Sequence, residues 1–427
     1  MAVTIAKGGF VQPVESGVAP SRLSGLRFPL SREPSQSRPP CDILLSSVMD
    51  SIRRLEKNAA AILHAMAEVE MVSQGELIPQ VHLKRTSIFN VMERMNRARL
   101  VRSCGDVPSG KGRSTILWKI CEDAGRFLVV YFGHLCNYYR VYDFEGKLLQ
   151  AIDRPHSLTI VAAIAELRQI VDDLAGSCVD GGAPLRGVAV SLAGIVDSTK
   201  GEVVLSHHWH LEHYPLVAEL GKLWDNSPPL ILIENNVRFS AWGEKCSGLG
   251  RETRHFLVLS IHGASREGPS RSAIGLGTGI VLDGRLFAGK TGGAGELDHL
   301  FSNWFRTHYP TGTLPSSLTD MTEEQLCDFA QDLGSNFSHI INYLAPEKLI
   351  IHFNEEAPSP SFAEALRGAL RANLLPAGDQ DFPVEVSSRG VDSLLDGGIH
   401  LLRQLYFAPS DHLVRQVQGA LRRRSSR

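Results

Sequence analysis

Between Ala273 and His299 the chain reads AIGLGTGIVLDGRLFAGKTGGAGELDH, and this stretch holds the residue types best suited to chemistry at close spacing. Gly275, Gly277 and Gly279 alternate along it, Asp283-Gly284 marks a tight turn, and a second glycine cluster leads into Glu296, Asp298 and His299. Glycine has no Cβ, so a backbone of this kind lets a ligand come close. A strand, turn and strand with such a loop can hold a nucleotide phosphate, and a carboxylate and an imidazole just beyond it can face a sugar hydroxyl. The same residues also suit a plain hairpin whose turns need glycine, because an isolated glycine-rich match is unspecific.

The elements that would position this stretch fall between residues 121 and 427. Phe127–Phe132 and Asn137–Tyr142 have strand character, with a turn at Phe144-Glu145-Gly146 leading to a third strand. Ile160, Ala163, Ile164, Leu167, Ile170 and Val171 recur at helical spacing, which predicts a helix over Thr159–Leu174. Further strands are expected at Gly187–Leu192, Leu230–Ile233, Phe256–Ile261 and Lys348–His352. Helices are expected at Pro215–Trp224, from Asn236 through Glu244, at Thr322–Tyr343, at Pro360–Asn373 and last at Val391–Tyr406, and Arg422-Arg423-Arg424 is expected to be a frayed end. Strands alternating with crossover helices indicate an α/β fold with mixed sheets.

Residues 48–120 have a separate character. Ile52, Leu55, Ala59, Ile62, Leu63 and Met66 lie at helical spacing. Ser73-Gln74-Gly75-Glu76 is a capping box that starts a second short helix. A third helix carries Ile88, Val91, Met92 and Met95 on one face, and alternating residues around Leu100–Arg102 and Thr115–Trp118 predict a two-stranded ribbon. This is the order of a winged helix-turn-helix. Lys84, Arg85, Arg94, Arg97, Arg99, Arg102, Lys111 and Arg113 crowd into the same segment against Glu93 and Asp106. Clustered cations neutralise phosphates and release counterions from DNA. Lys84, Arg85, Thr86, Ser87, Asn90 and Arg94 fall on the third helix and at its start, where a recognition helix meets base edges. Lys111 and Arg113 would tip the wing. A basic face on a protein-binding domain is the plainer alternative.

The whole chain has 427 residues and a net charge of −2, a length that suggests more than one domain. Residues 1–47, rich in Pro, Ser, Gly and Arg, have no apolar period and are expected to be a disordered leader or the product of a start codon placed too far upstream. No apolar run is long enough to span a bilayer and no secretory signal is visible. Seven scattered Cys without a C-x-x-C fit a reducing cytosol.

The sequential order of Ser191-Leu-Ala-Gly-Ile-Val-Asp197, Ile233-Glu-Asn-Asn236 with Ala241 and Glu244, Gly275–Gly284 and Gly295-Glu-Leu-Asp-His299 resembles the ROK (repressor, open reading frame, kinase) family. The resemblance covers residues 55–408. It implies a winged helix-turn-helix fused to an actin-like (ribonuclease H-like), two-lobed sugar-kinase-type domain. By that resemblance residues 48–120 are the DNA reader and 121–427 the kinase-like domain. It further implies a cytoplasmic, nucleoid-associated transcriptional regulator, a repressor, that binds double-stranded DNA as a homodimer or dimer of dimers and answers to a carbohydrate or sugar phosphate.

Departures from the family's kinases argue against catalysis. Where they carry an Asp as general base this chain has Asn236, and an amide cannot accept the proton; losing a general base costs about 10²–10⁴ in rate. Their first phosphate loop reads Asp-x-Gly-Gly-Thr, and here the place is filled by Tyr131-Phe132-Gly133-His134-Leu135. Their second loop begins Gly-Thr-Gly, and here Ala273-Ile274-Gly275 stands instead. The family's zinc set pairs a His with three Cys; His299 is present but residues 300–326 hold no Cys, so neither zinc nor any cofactor is expected. Asn235, Asn236, Glu296 and His299 remain as the sugar-facing positions the resemblance implies, with His207 and His208 as further candidates. An active sugar kinase using Asp298 as base is the alternative reading.

Overall fold

The computed structural model describes residues 56–67, 69–109, 113–179, 182–224, 228–263, 274–297, 307–308, 315, 318–353, 360–375 and 382–422. All lie within one compact unit, Ile52–Arg427. The expected leader over residues 1–47 lies outside the described residues.

The N-terminal head begins with helix α1 (residues 56–67), which buries Ala59, Ile62, Leu63 and Met66. Strand β1 (Val72–Ser73), helix α2 (Gln74–Val81), helix α3 (Arg85–Arg97) and strands β2 (Val101–Ser109) and β3 (Arg113–Ile120) follow. The ribbon has one strand more than the alternation predicts: Val72 pairs with Trp118 and Ser73 with Leu117, giving the order β1-β3-β2. Ser73 can do this because the N-cap of α2 must be extended, with φ −88° and ψ 158°, which also suits a strand. The capping box forms. Ser73 Oγ accepts from Glu76 N at 3.3 Å, and Glu76 Oε2 accepts from Ser73 N at 2.8 Å. These bonds hold the Glu76 carboxyl below its ordinary value of 4.5, so the cap is intact above that pH and is lost as pH falls through the lowered value. Ser73→Ala is expected to cost about 1 kcal/mol in a urea melt at neutral pH.

The body is two α/β lobes. In the first, a sheet of order β11-β7-β4-β5-β6 combines β4 (Arg126–Phe132), β5 (Cys136–Asp143), β6 (Leu148–Pro155), β7 (Leu185–Leu192) and β11 (Leu230–Asn235). Strands β4, β7 and β11 are mutually parallel, and their cores read as near-continuous apolar runs because both faces are covered. Helix α4 runs over Ile160–Val179, longer than expected, and helix α5 over Leu216–Gly221, shorter. A small sheet, β8 (Ile195–Asp197), β9 (Glu202–Ser206) and β10 (Leu211–Tyr214), sits beside it.

Helix α6 (Asn236–Ser247) opens the second lobe, whose sheet has the order β14-β13-β12-β15-β16. Its strands are β12 (Phe256–Gly263), β13 (Ile274–Leu282), β14 (Arg285–Leu286), β15 (Lys348–Phe353) and β16 (Val384–Ser387). Helices α7 (Glu323–Leu344) and α8 (Pro360–Asn373) pack on it around Phe329, Leu333, Phe362 and Leu366.

Helix α9 (Val391–Phe407) returns to the first lobe. A last helix, α10 (Asp411–Arg422), is not among the expected elements; it takes in Arg422 of the expected frayed end, and Arg423 and Arg424 lie outside the described residues. Its apolar stripe is Leu413, Val414, Val417 and Leu421, at helical spacing, and Leu413 and Val417 are buried. They join one continuous core with α1, α9, Phe127 and Phe144. His64 Nδ1 lies 3.0 Å from the Phe407 carbonyl oxygen, so the head is seated on the C-terminal helices rather than tethered loosely.

Candidate functional site

Parallel strands present their carboxyl ends as the natural place for a ligand in α/β sheets. Here Phe132, Leu192 and Asn235 stand side by side in register at the ends of β4, β7 and β11. The residues that follow them are Gly133-His134, Ala193-Gly194 and Asn236, so three of the singled-out motifs converge at one end of the sheet through topology alone.

Asn235 is an N-cap. Its Oδ1 accepts from Val237 N at 2.8 Å and Arg238 N at 3.2 Å, and its Nδ2 donates to the Gly194 carbonyl at 2.8 Å. Its polar groups therefore fasten α6 to the loop after β7. Asn236 is 1% exposed, and its Nδ2 has no hydrogen-bond partner among the described residues. The same holds for the buried Ser191 Oγ on β7, Thr278 Oγ1 on β13 and Trp209 Nε1. A buried polar atom without a partner costs about 1–3 kcal/mol, so the Asn236 amide at the strand ends suits a polar ligand.

Arg238, in the first turn of α6, was not visible as a site residue in the sequence. It is 2% exposed; its Nε donates to Glu234 Oε1 at 2.6 Å, Nη1 to the Gly292 carbonyl at 2.6 Å and Nη2 to the Val196 carbonyl at 2.8 Å. Ser198 Oγ donates to the other Glu234 oxygen at 2.9 Å. One guanidinium thus ties together the end of β11, strand β8 and the second glycine cluster. Asp197 beside it accepts from Thr199 Oγ1 at 2.6 Å, a bond that holds its carboxyl below the usual range and closes the β8–β9 turn.

The alternating glycines serve packing. A Cβ on Gly277 would lie 2.8 Å from Val237 Cγ2, and one on Gly279 would lie 2.5 Å from Ala241 Cβ, so β13 lacks side chains there to admit α6. This corrects the expectation that both glycines clear space for a ligand. Gly292 and Gly295 have φ of +75° and +96°, and a Cβ on either would lie 1.9 Å from a backbone oxygen, of Val196 and Thr278 respectively. That loop delivers Glu296, which is exposed and forms a bridge with Gly277. Asp298 and His299 lie outside the described residues.

The first phosphate-loop position is occupied by imidazoles. His134 Nδ1 and His208 Nδ1 are 3.0 Å apart, His156 Nδ1 is 2.8 Å from the Gly133 carbonyl oxygen, and the His156 and His208 rings both contact Trp209. These contacts hold the β4–β5 turn against residues 206–210. Among the described residues no group of three His, Cys, Asp or Glu is arranged to hold a metal, and no helix is long and apolar enough to cross a membrane.

In the head, Ile88, Val91, Met92 and Met95 face inward, while Lys84, Arg85, Thr86, Asn90 and Arg94 are exposed and Ser87 is half-buried. Lys111 lies outside the described residues, and of Arg113 only the backbone in β3 is described.

Comparison with known proteins agrees with this geometry. The ROK family model matches residues 140–328. A xylose repressor of Caldicellulosiruptor bescii is 23% identical over 252 residues, covering 58% of this chain and 59% of the relative. The DNA-binding transcriptional dual regulator NagC of Escherichia coli is 21% identical over 259 residues, covering 59% and 58%. The chain thus spans about three fifths of the length of the curated relatives it matches. A solved ROK family transcriptional regulator, a homologue of the E. coli MLC protein, superposes with a TM-score of 0.62 at 19% identity, over 86% of this chain and 99% of that one. A ROK family glucokinase from Streptomyces griseus superposes with a TM-score of 0.50 at 17% identity, over 66% of this chain and 100% of that one. These likenesses give the two-lobed sugar-kinase-type fold. Residues 140–328 of the chain thus carry a ROK family domain.

Proposed function

We propose that this protein is a cytoplasmic, sequence-specific DNA-binding regulator, a repressor of carbohydrate metabolism, whose kinase-like body is catalytically inactive and senses a sugar or sugar phosphate. Residues 48–120 form the DNA reader and 121–427 the sensing and dimerising body. The carrying observation is the pairing, in one folded unit, of an exposed basic face on α3 with a sugar-kinase fold that has Asn236 where a general base belongs. The relatives named as a xylose repressor and a DNA-binding transcriptional dual regulator support a regulator over an enzyme.

In this reading Lys84, Arg85 and Arg94 meet phosphates and base edges, with Thr86, Ser87 and Asn90 beside them and Lys111 and Arg113 on the wing. Purified protein is expected to retard genomic DNA fragments without ATP. Affinity is expected to fall about a hundredfold or more between 50 and 200 mM salt, and Lys84→Ala to lower the salt slope by about 1. Unchanged mobility across varied fragments would overturn the reading.

The effector site is proposed at the carboxyl ends of β4, β7 and β11. Asn236 gives a hydrogen bond to a hydroxyl there, Glu296 is a further contact from the glycine loop, His299 is a ligand by the resemblance alone, and Asn235 acts through the α6 cap. A monosaccharide panel in thermal unfolding is expected to raise Tm with at least one sugar, by the mass action of binding to the folded state alone. Asn236→Ala is expected to abolish that rise.

The second reading, a sugar kinase with Asp298 as base, is favoured only by the kinase fold itself. ADP release over a sugar panel, lost on Asp298→Asn, would establish it and remove the first reading of the body.

A further inference from the structure

We infer that Phe89 is a base-reading residue, and that it recognises the C5-methyl group of a thymine in the major groove. The inference rests on the DNA-binding reading above and deepens it. Phe89 lies on α3 one turn after Arg85, next to Asn90, and it is 44% exposed. The inward face of the same helix is already filled by Ile88, Val91, Met92 and Met95, each 3% exposed or less. Phe89 is therefore surplus to the head's core.

Its surroundings define the partner. The exposed residues about it are Arg85, Thr86, Asn90 and Arg94, with half-buried Glu93 one turn on, so an apolar ring stands within a largely cationic and hydrogen-bonding face. A complementary surface must be anionic at its rim and must present an apolar group within it. The major groove supplies both: phosphates line its edges, and the only alkyl group on any base edge there is the thymine methyl, which a Phe side chain can contact. Asn90 can pair bidentately with an adenine from the same face. The two neighbours together fit A·T-containing steps in the half-site. Placement agrees as well, because the first turns of a recognition helix are the part that reaches base edges.

The test uses the full chain and duplexes selected from a random-sequence library. In the tightest-selected duplex each thymine is replaced in turn by deoxyuridine, which deletes the methyl group and leaves every hydrogen-bonding group unchanged. At one position, or at it and its symmetry mate, wild-type affinity is expected to fall about fourfold, the effect of burying one methyl group. Phe89→Ala is expected to bind the thymine duplex with about the same fourfold loss and to be indifferent to the replacement at that position. Phe89→Leu, which keeps an apolar contact, is expected to retain part of the difference. Wild-type protein that binds DNA in a salt-dependent manner but ignores every thymine-to-deoxyuridine change overturns the assignment and leaves the DNA reading standing. Equal sensitivity of wild type and Phe89→Ala also overturns it. Absence of any DNA binding, or a preference for anionic vesicles over duplex, removes the DNA reading itself.

Discussion

Replacing Arg238 by alanine is expected to lower the unfolding free energy by about 3–5 kcal/mol, the range for removing one partner of a buried ion pair. Glu234 would be left 6% exposed with its principal cation gone, and the Gly292 and Val196 carbonyls would each lose a donor. Urea unfolding at neutral pH measures the loss. The pairwise origin is checked by the double variant Arg238→Met with Glu234→Leu. With both charges removed and the volume kept apolar, most of the stability is expected to return. A single variant within 1 kcal/mol of wild type would show that the Arg238 guanidinium is not desolvated as the geometry requires. The consequence extends to function, because Arg238 is what fastens the glycine loop bearing Glu296 to the strand ends bearing Asn235 and Asn236. A double variant that regains stability without those carbonyl bonds is therefore expected to remain defective in sugar-dependent stabilisation.

Gly397→Ala is expected to cost about 3 kcal/mol, at the upper end for overpacking a well-filled core. A Cβ at Gly397 would lie 1.8 Å from the Phe239 carbonyl oxygen, and one at Gly243 would lie 1.8 Å from the Ser393 carbonyl oxygen. Helices α6 and α9 thus cross with their backbones interlocked, each supplying a glycine against the other's carbonyl. The obstructing atom is backbone in both cases, so relief requires the helices to separate. Ser393 Oγ holds the crossing further, donating to the Ser240 carbonyl at 3.1 Å and to Glu244 Oε1 at 2.9 Å. Gly176 and Gly368 are internal controls, being helical and exposed with nothing within 4 Å of an added Cβ. Gly368→Ala is expected to stabilise by about 0.5–1 kcal/mol through helix propensity and the unfolded chain. Thermal or urea melts of the two variants in parallel separate steric cost from propensity. The crossing also matters for the proposed regulation: α6 begins at Asn236, and α9 ends at Phe407 against His64 of the head.

Much of the architecture could be read along the chain. Strands β4–β7, β11–β13 and β15 and helices α3, α7, α8 and α9 announce themselves by apolar runs or by apolar residues at helical spacing, since burying those residues is what forms the elements, whereas the short strands β8, β9, β10 and β16 were not foreseen. Ser73 and Glu76 gave away the start of α2 because a capping box is a local device, complete within four residues. The order of motifs from Ser191 to His299 pointed to the ROK family, and Asn236, an amide where the resemblance implies an Asp, is the ground for proposing that the body is inactive.

Tertiary structure decided the rest, wherever an atom's role depends on a neighbour far along the chain. Gly277 and Gly279 looked like a cradle for phosphate, and only the approach of Val237 and Ala241 showed that they admit a helix. Arg238 looked like one cation among many until Glu234, Val196 and Gly292 converged on it. His134 met His208 because two strand ends and a turn bring them together, at a separation of 74 residues that no local pattern encodes. Helix α10 has Leu413, Val414, Val417 and Leu421 at helical spacing, and what the tertiary structure added is where that stripe goes: Leu413 and Val417 are buried in the core that also holds residues of α1 and α9.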